Sequence, residues 1–167
     1  MKTDNADFRN LVREHSQRLY AHIRSILLNH HDTDDVLQNT FVKAWSGIHE
    51  FRAESEISTW LFRIATNEAL QHLRKQKLRK LFFMGSDTEI SDDVVQSDAP
   101  DGEAIQRKLE QAMKTLSVQQ RMVFSMKYFN ELKYTEIAGI LQLKEGSLKA
   151  VYHNAVKKIE KYITENE

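Results

Sequence analysis

Apolar residues recur every three or four positions through most of this sequence, and few residues interrupt the pattern. The 167 residues include only five Gly and one Pro, the residue types that most often end helices. Such spacing places apolar side chains on one face of a helix. With 41% hydrophobic residues, the chain also has enough apolar surface for packed cores. The sequence therefore predicts an all-α protein of long helices rather than strands joined by turns.

The formal net charge of zero conceals three segments of unlike charge. Residues 1–83 carry 13 Lys and Arg against 10 Asp and Glu, and residues 107–167 carry 11 against seven. Residues 84–106 carry seven acidic residues and no basic one. An acidic segment with few apolar residues cannot bury enough surface to fold alone. We expect two small helical domains, 5–83 and 102–165, joined by a flexible acidic linker at 84–101.

Several classes of site have no counterpart in the sequence. There is no Cys and no apolar run of 18 residues, and the first eight residues lack the apolar stretch of a secretory signal. No glycine-rich phosphate loop, nucleophile elbow or zinc signature is present. His30 and His31 are adjacent rather than four residues apart, so a polar loop explains them better than a metal site. We expect a cytoplasmic protein without membrane insertion, enzymatic activity, cofactor or metal.

The most specific local feature is a helix-turn-helix pattern at residues 137–151. Ile137, Ala138 and Leu141 form the inner face of a first helix, and Leu148 and Val151 anchor a second. The second helix would present a polar set outward: Ser147, Lys149, Ala150, His153, Asn154 and Lys157. Lys can contact guanine or phosphate, and Asn can pair with adenine. The pattern indicates a DNA-reading helix, with an ordinary helical hairpin as the alternative.

A second polar face lies on the helix predicted to follow Asp32, which we expect to cap that helix. Asp34, Asp35, Gln38, Asn39 and Val42 share one side of it. The opposite side holds Val36, Leu37, Phe41, Ala44 and Trp45, and we expect Trp45 to lie in the core. An acidic and polar face beside a buried stripe could dock on a basic partner helix, or it could simply be solvated.

The loop at residues 49–57 and the helix after it carry a third set of candidates. The loop combines an aromatic residue, an Arg and hydroxyl groups, which is typical of single-strand recognition by stacking and polar contact. Phe51 could equally plug the core beneath the loop. Ser58 or Thr59 is expected to cap the next helix. That helix ends in the basic tract 74–80. The tract could contact DNA phosphates, or it could be a solvent-exposed helix end where positive charge is favourable.

Three blocks of the sequence together resemble one protein family. The core-polymerase-binding helix of bacterial sigma factors resembles residues 35–45, DVLQNTFVKAW. The promoter-melting segment of the extracytoplasmic-function, or group IV, subfamily is similar to residues 51–55, FRAES, and 59–67, TWLFRIATN. The C-terminal domain of that subfamily resembles LS at 116–117, QR at 120–121, YF at 128–129, YTEIA at 134–138 and GSLK at 146–149. The resemblance spans about residues 8–163.

The resemblance implies an RNA polymerase sigma factor that brings core enzyme to promoters and helps to open the DNA. Its implied partners are core RNA polymerase, through the clamp coiled-coil and the flap, promoter DNA, and an anti-sigma factor. Core binding falls to the face of Asp34, Asp35, Gln38, Asn39 and Val42. Binding of the minus-ten element falls to Phe51, Arg52, Ser55, Asn67, Arg74, Lys75 and Lys77. Binding of the minus-thirty-five element falls to Ser147, Lys149, Ala150, His153, Asn154 and Lys157.

The sequence departs from the family pattern in two ways that concern these surfaces. Asn39 stands where the family usually has Glu, on the face assigned to core polymerase. Residues 150–154, AVYHN, lack the two Arg that many members place around the family's His. Two rival classes remain open from the residues alone. One is a two-domain helix-turn-helix regulator that does not bind core polymerase, and the other is a helical adaptor without affinity for nucleic acid.

Overall fold

The computed structural model of the chain describes residues 4–82 and 101–167, with the side chains of residues 4–79 and 102–167. Its α-helices are α1 (Asn5–Leu27), α2 (His30–Gly47), α3 (Ile57–Phe82), α4 (Asp101–Lys114), α5 (Val118–Phe124), α6 (Tyr134–Leu141) and α7 (Glu145–Glu165). A 3-10 helix, Ile48–Glu50, follows α2, and a π-helix, Ser125–Phe129, continues α5. Every regular element in these ranges is helical, which confirms the all-α prediction.

The predicted linker lies almost wholly outside the described ranges. Of residues 84–101 the structure describes only Asp101, the first residue of α4. Among the helices that are described, none is long and apolar enough to cross a membrane.

The start of α2 differs from the expectation because a different residue caps it. The side chain of Asn29 accepts a hydrogen bond from the backbone N–H of Asp32 at 3.0 Å, so the helix begins at His30. Asn caps helices as well as Asp does. Asp32 lies inside the first turn and reaches α3 instead. Its carboxylate accepts a hydrogen bond from Gln76 at 2.9 Å and lies 3.4 Å from His72 Nε2.

The start of α3 was also placed too late by the sequence. The helix begins at Ile57, and the backbone N–H of Trp60 donates to the carbonyl of Glu56 at 3.2 Å. Ser58 and Thr59 therefore lie inside the first turn, and the prediction that one of them caps the helix is wrong. An ion pair between Lys43 and the largely buried Glu68 links α2 to α3 further along.

Helices α1, α2 and α3 pack around one core. Its buried members are Leu19, Ile23, Ile26, Val36, Ala44, Leu61, Phe62, Ala65 and Ala69. The residues follow the helical spacing of the sequence, because every third or fourth position of each helix faces the other two. At about 1.5–3 kcal/mol for each large apolar side chain, their burial is the main force holding the three helices together.

The C-terminal helices form a second group that is held in part by well-formed helix ends. Ser117 and Gln120 make a capping box at the start of α5, each side chain bonding to the other's backbone N–H. Gln142, where helix-turn-helix turns often have Gly, adopts a left-handed conformation with φ 54° and ends α6. Its backbone N–H donates to the carbonyl of Ala138. Gln142 thus takes the left-handed conformation that favours Gly.

The two helical groups pack directly on each other, which the sequence did not predict. The buried guanidinium of Arg121 donates to the carbonyl of Leu116 in its own domain at 2.8 Å. It also donates to the carbonyl of Ile26, at the end of α1, at 3.0 Å. Arg18 of α1 donates to the carbonyl of Asn130 at 3.2 Å. Met122, Val123, Met126, Leu132, Ile137, Ile140 and Leu148 join the core of α1–α3.

Candidate nucleic-acid interface

The outer side of α2 is a polar stripe with an apolar end. Asp34, Asp35, Gln38, Asn39 and Val42 are all exposed, as the helical spacing predicted. Val36 and Ala44, on the opposite side, are buried. Trp45, however, is 40% exposed, so its assignment to the core was wrong. Its ring packs edge-on against Phe8, with centroids 4.9 Å apart, and this contact covers only part of the indole.

Trp45 extends the stripe because of its position on the helix. It lies three residues after Val42, which is 60% exposed, and ten after Asp35, so all three share one side. Asp35 lies 3.7 Å from His31, in a pair whose members are both exposed. The stripe therefore offers a partner carboxylates at one end and apolar surface at the other.

The loop after α2 forms a small pocket against the start of α3. Phe51, Arg52 and Ser55 line this cavity of about 340 Å³ together with Glu50, Glu54, Trp60 and Arg63. Phe51 is half-buried, and its ring lies 5.2 Å from that of Trp60. Trp60 in turn approaches Gly47 so closely that a Cβ there would lie 3.4 Å from the indole. Phe51 therefore packs on Trp60 and also borders the pocket.

Asn67 and Arg74 line a different cavity, so the structure divides the predicted minus-ten residues between two sites. This groove of about 450 Å³ runs between the two domains. One wall is a stripe of α3 made by Arg63, Asn67, Leu70 and Arg74, and the other includes Gln119, Met122 and residues 139–143 around the end of α6. Lys75 and Lys77 are exposed on α3 and border neither cavity.

Arg63 was missed by the sequence reasoning, although it is the residue that the two cavities share. One signal was available, because Arg63 lies four residues before Asn67 and so occupies the same side of α3. The two adjoining cavities and Arg63 make a continuous polar edge along α3. A single-stranded segment could follow such an edge with a base in the loop pocket and phosphates near the Arg side chains.

The helix α7 presents its predicted polar set to solvent. Ser147, Lys149, Ala150, His153, Asn154 and Lys157 are all exposed, while Leu148, Ala155 and Ile159 are buried. Ile140, which the sequence reasoning left out, joins Ile137 as a buried residue of α6. The arrangement is the one a helix-turn-helix needs, with a second helix anchored by apolar residues and a polar outer face.

Two models of one protein family match the chain. The Sigma-70 region 2 model matches residues 11–79, and the Sigma-70 region 4 model matches residues 106–159. Between them they cover most of α1–α3 and most of α4–α7.

Relatives match along nearly the whole chain. The ECF RNA polymerase sigma factor SigW of Bacillus subtilis is 28% identical, covering 97% of this chain and 91% of the relative. The ECF RNA polymerase sigma-E factor of Haemophilus influenzae is 28% identical, covering 92% of this chain and 86% of the relative. These relatives favour a sigma factor over the rival regulator that does not engage polymerase.

Solved structures share the fold. The sigma factor RpoE of Bartonella quintana, solved with the anti-sigma factor NepR, superposes with a TM-score of 0.80 at 23% identity, covering 95% of this chain and 97% of that one. CnrH, solved with the cytosolic domain of CnrY, superposes with a TM-score of 0.72 at 21% identity, covering 98% of this chain and 92% of that one. The family models, the relatives and the fold agree. The chain belongs to the sigma-70 family and is an extracytoplasmic-function RNA polymerase sigma factor.

Proposed function

We propose that this sigma factor divides its work between three surfaces on two domains. Residues 5–83 bind core polymerase and the minus-ten element, and residues 102–165 bind the minus-thirty-five element, with 84–101 as the connection. The chain acts in the cytoplasm as an initiation factor with no reaction of its own. The observation that carries the proposal is the outer face of α7, where all six candidate DNA-binding residues are exposed above a buried apolar anchor.

The stripe on α2 is our proposed contact for the clamp coiled-coil of core polymerase. Its carboxylates, Asp34 and Asp35, can pair with basic side chains of a partner helix. Val42 and Trp45 add apolar area that would leave water on binding, and partly exposed aromatic residues are common anchors of protein interfaces. A second contact with polymerase, at the flap, belongs to the C-terminal domain in this proposal.

Replacing Asp35 and Gln38 together with Ala should weaken binding to core polymerase by about tenfold to a hundredfold, the range expected when one or two partly desolvated polar contacts are lost. Helicity and thermal melting should stay near those of the parent, because both side chains are exposed. Fluorescence titration of core enzyme measures the affinity. A Glu14/Gln17 double Ala variant is a matched control, since these exposed α1 residues have the same spacing. Equal affinities for the two variants would refute the assignment.

The loop pocket and the adjoining edge of α3 are our proposed site for the minus-ten strand. Phe51 and Trp60 offer aromatic surface on which a base flipped out of the DNA duplex can stack. Arg52 and Ser55 offer polar contacts at the rim of the pocket. Arg63, Asn67 and Arg74 would follow the strand beyond the pocket. Lys75 and Lys77 contribute positive charge that attracts phosphates without reading sequence.

On α7, Asn154 is the clearest candidate for reading a base, because an Asn amide can pair with the two hydrogen-bonding groups of adenine in the major groove. Asn154→Ala should relax the preference at one base pair of the minus-thirty-five element by about 1–3 kcal/mol and leave the other positions unchanged. Transcription by the holoenzyme from single-substitution promoters measures this. Asn10→Ala on α1 is the control for an exposed Asn. A uniform loss at every promoter, or none, would contradict the base contact.

We also propose that an anti-sigma factor binds this chain. The support is that the sigma factor RpoE of Bartonella quintana, which has the same fold, was solved with the anti-sigma factor NepR. Co-purification of the chain with candidate partners, followed by competition with core polymerase, tests the proposal. A partner that binds the chain and the chain–polymerase complex equally well would not fit it.

A further inference from the structure

Two lysine side chains from different helices lie near one aromatic ring in the C-terminal domain. Tyr134, the first residue of α6, is half-buried. The ammonium of Lys127, from the π-helix, lies 4.6 Å from the centre of its ring. The ammonium of Lys149, from α7, lies 5.8 Å from the same centre. Both distances are within the range in which a cation is attracted to an aromatic face.

The ring of Tyr134 packs against a group of aromatic side chains in its own domain. Tyr152 of α7 packs edge-on against Tyr134, with centroids 6.4 Å apart. Tyr152 is in turn stacked with the buried ring of Phe124, at 6.0 Å. Lys127 is held by a further contact, since its ammonium lies 3.4 Å from the carbonyl of Leu132. Tyr134 is therefore packed against the aromatic side chains of the domain.

The two ammonium groups lie as a pair of positive charges beside one ring. Because both lie near one ring centre, they are separated by no more than the two distances added together. The screening length at ordinary ionic strength is about 8–10 Å, so salt weakens the repulsion between the two charges and removes most of it at the upper end of this range. Within the described residues neither ammonium lies at ion-pair distance from a carboxylate. An anion bridging the two would relieve the repulsion.

We propose that Lys127, Tyr134 and Lys149 form a binding site for one backbone phosphate of promoter DNA, in which Tyr134 is the positioning residue that holds the two lysines. The anion is a DNA phosphate because Lys149 shares the exposed face of α7 with His153 and Asn154. The inference rests on the proposed role of α7 and deepens it. It assigns Lys149 to the DNA backbone and leaves base reading to neighbours such as Asn154.

The test uses the full chain in complex with core polymerase, with binding to a promoter duplex and to a scrambled duplex measured over a series of salt concentrations. Lys127→Ala should weaken both complexes by about threefold to tenfold and reduce the steepness of the salt dependence by about one. Tyr134→Leu should also weaken both complexes, whereas Tyr134→Phe, which keeps the ring, should bind like the parent. Lys108→Ala, an exposed lysine on α4, is the control for lost charge.

Combined substitutions distinguish a positioning role of Tyr134 from a merely structural one. In combination with Lys127→Ala and Lys149→Ala, the change Tyr134→Leu should add little, because both lysines that it positions are already gone. Fully additive losses of binding would overturn the inference. An equal loss of binding with Tyr134→Phe and Tyr134→Leu would also overturn it. So would a loss of binding confined to changes at one base pair. If Tyr134→Leu lowers the melting temperature, the variants Lys127→Ala and Lys127→Gln are used for the test instead. Changing Lys127 leaves the packing of the Tyr134 ring intact. An unaltered salt dependence in both would refute the site.

The proposed role of α7 can fail separately. If Asn154→Ala and Lys149→Ala both leave promoter binding unchanged, α7 does not contact DNA, and the phosphate site fails with it. If those two variants lose binding while the Lys127 and Tyr134 variants do not, α7 binds DNA and only the phosphate site is wrong.

Discussion

Lowering the pH from 7 to 4 should remove about 3 kcal/mol of stability through His22 alone. Burial lowers the pKa of this side chain to about 3, from an ordinary value of 6.5. Between those two values the unfolded chain binds a proton that the folded chain does not, so acid favours unfolding. The contribution of His22 is complete above pH 6.5 and is lost progressively as the pH falls towards 3. Each pH unit in this window costs about 1.4 kcal/mol.

The surroundings of His22 explain why the neutral ring is preferred. The side chain is fully buried between the two domains, against the edge of Phe62. The hydroxyl of Thr66 donates to the carbonyl of Phe62, so it must accept a hydrogen bond from His22 Nε2–H, at 2.9 Å. Nδ1 is then the unprotonated nitrogen, 3.5 Å from the hydroxyl of Ser125. A second proton would create a charge in a buried site, which desolvation disfavours.

Urea unfolding at pH 7 and pH 4–5 measures the effect. The variant His22→Gln should be less stable than the parent at pH 7, because it loses this packing, but it should lose less stability on acidification. The difference between the two pH dependences isolates His22 from the other titrating groups. His49→Gln is the control for replacing a histidine at an exposed position. The same loss of stability in parent and His22→Gln would contradict the assignment.

Arg121→Ala should lower the free energy of unfolding by about 2–4 kcal/mol, because it removes two charge-assisted hydrogen bonds from a buried site. Arg121 lies near the end of α1, where the helix dipole places partial negative charge on the carbonyls. Burial lowers the pKa of the guanidinium, which still stays charged near neutral pH. Without it, the carbonyls of Ile26 and Leu116 lose buried donors.

Two comparisons sharpen this second prediction. Arg121→Met keeps most of the apolar stem but loses the hydrogen bonds. The decrease in the free energy of unfolding that Arg121→Met and Arg121→Ala have in common is therefore due to the hydrogen bonds. Arg13→Ala removes an exposed guanidinium from α1 and should change stability by less than about 0.5 kcal/mol. Chemical unfolding of the three variants measures the differences. A loss under 1 kcal/mol for Arg121→Ala would show that the contact between the domains does not depend on this side chain.

Much of the fold could be predicted from the sequence because apolar spacing reports directly which side of a helix is buried. Ile137 and Leu148, which their spacing placed on the inner faces of the two helices, are both buried. The first residue of a helix was harder to predict where several possible capping residues lie close together in the sequence. Asn29 and Asp32 are both good caps, and local preference alone does not choose between them.

The parts that could not be predicted depend on contacts between distant residues. Trp45 fits an inward stripe by type, but Phe8 covers only part of it. Asn67 was grouped with Phe51 by resemblance, yet the groove it lines exists because α6 packs beside α3. Arg121 is buried against a carbonyl 95 positions earlier in the chain. No periodicity within one helix carries information about that kind of contact.

Run-off transcription with purified core RNA polymerase tests the central account most directly. On a promoter library, core enzyme with the parent chain should start transcription at defined positions downstream of one pair of sequence elements, and core enzyme alone should not. The Asp35/Gln38 double Ala variant should lose this activity at limiting concentration, and the Glu14/Gln17 control should keep it. Specific binding of duplex DNA by the chain alone, without any promoter-specific start when core enzyme is present, would contradict the account.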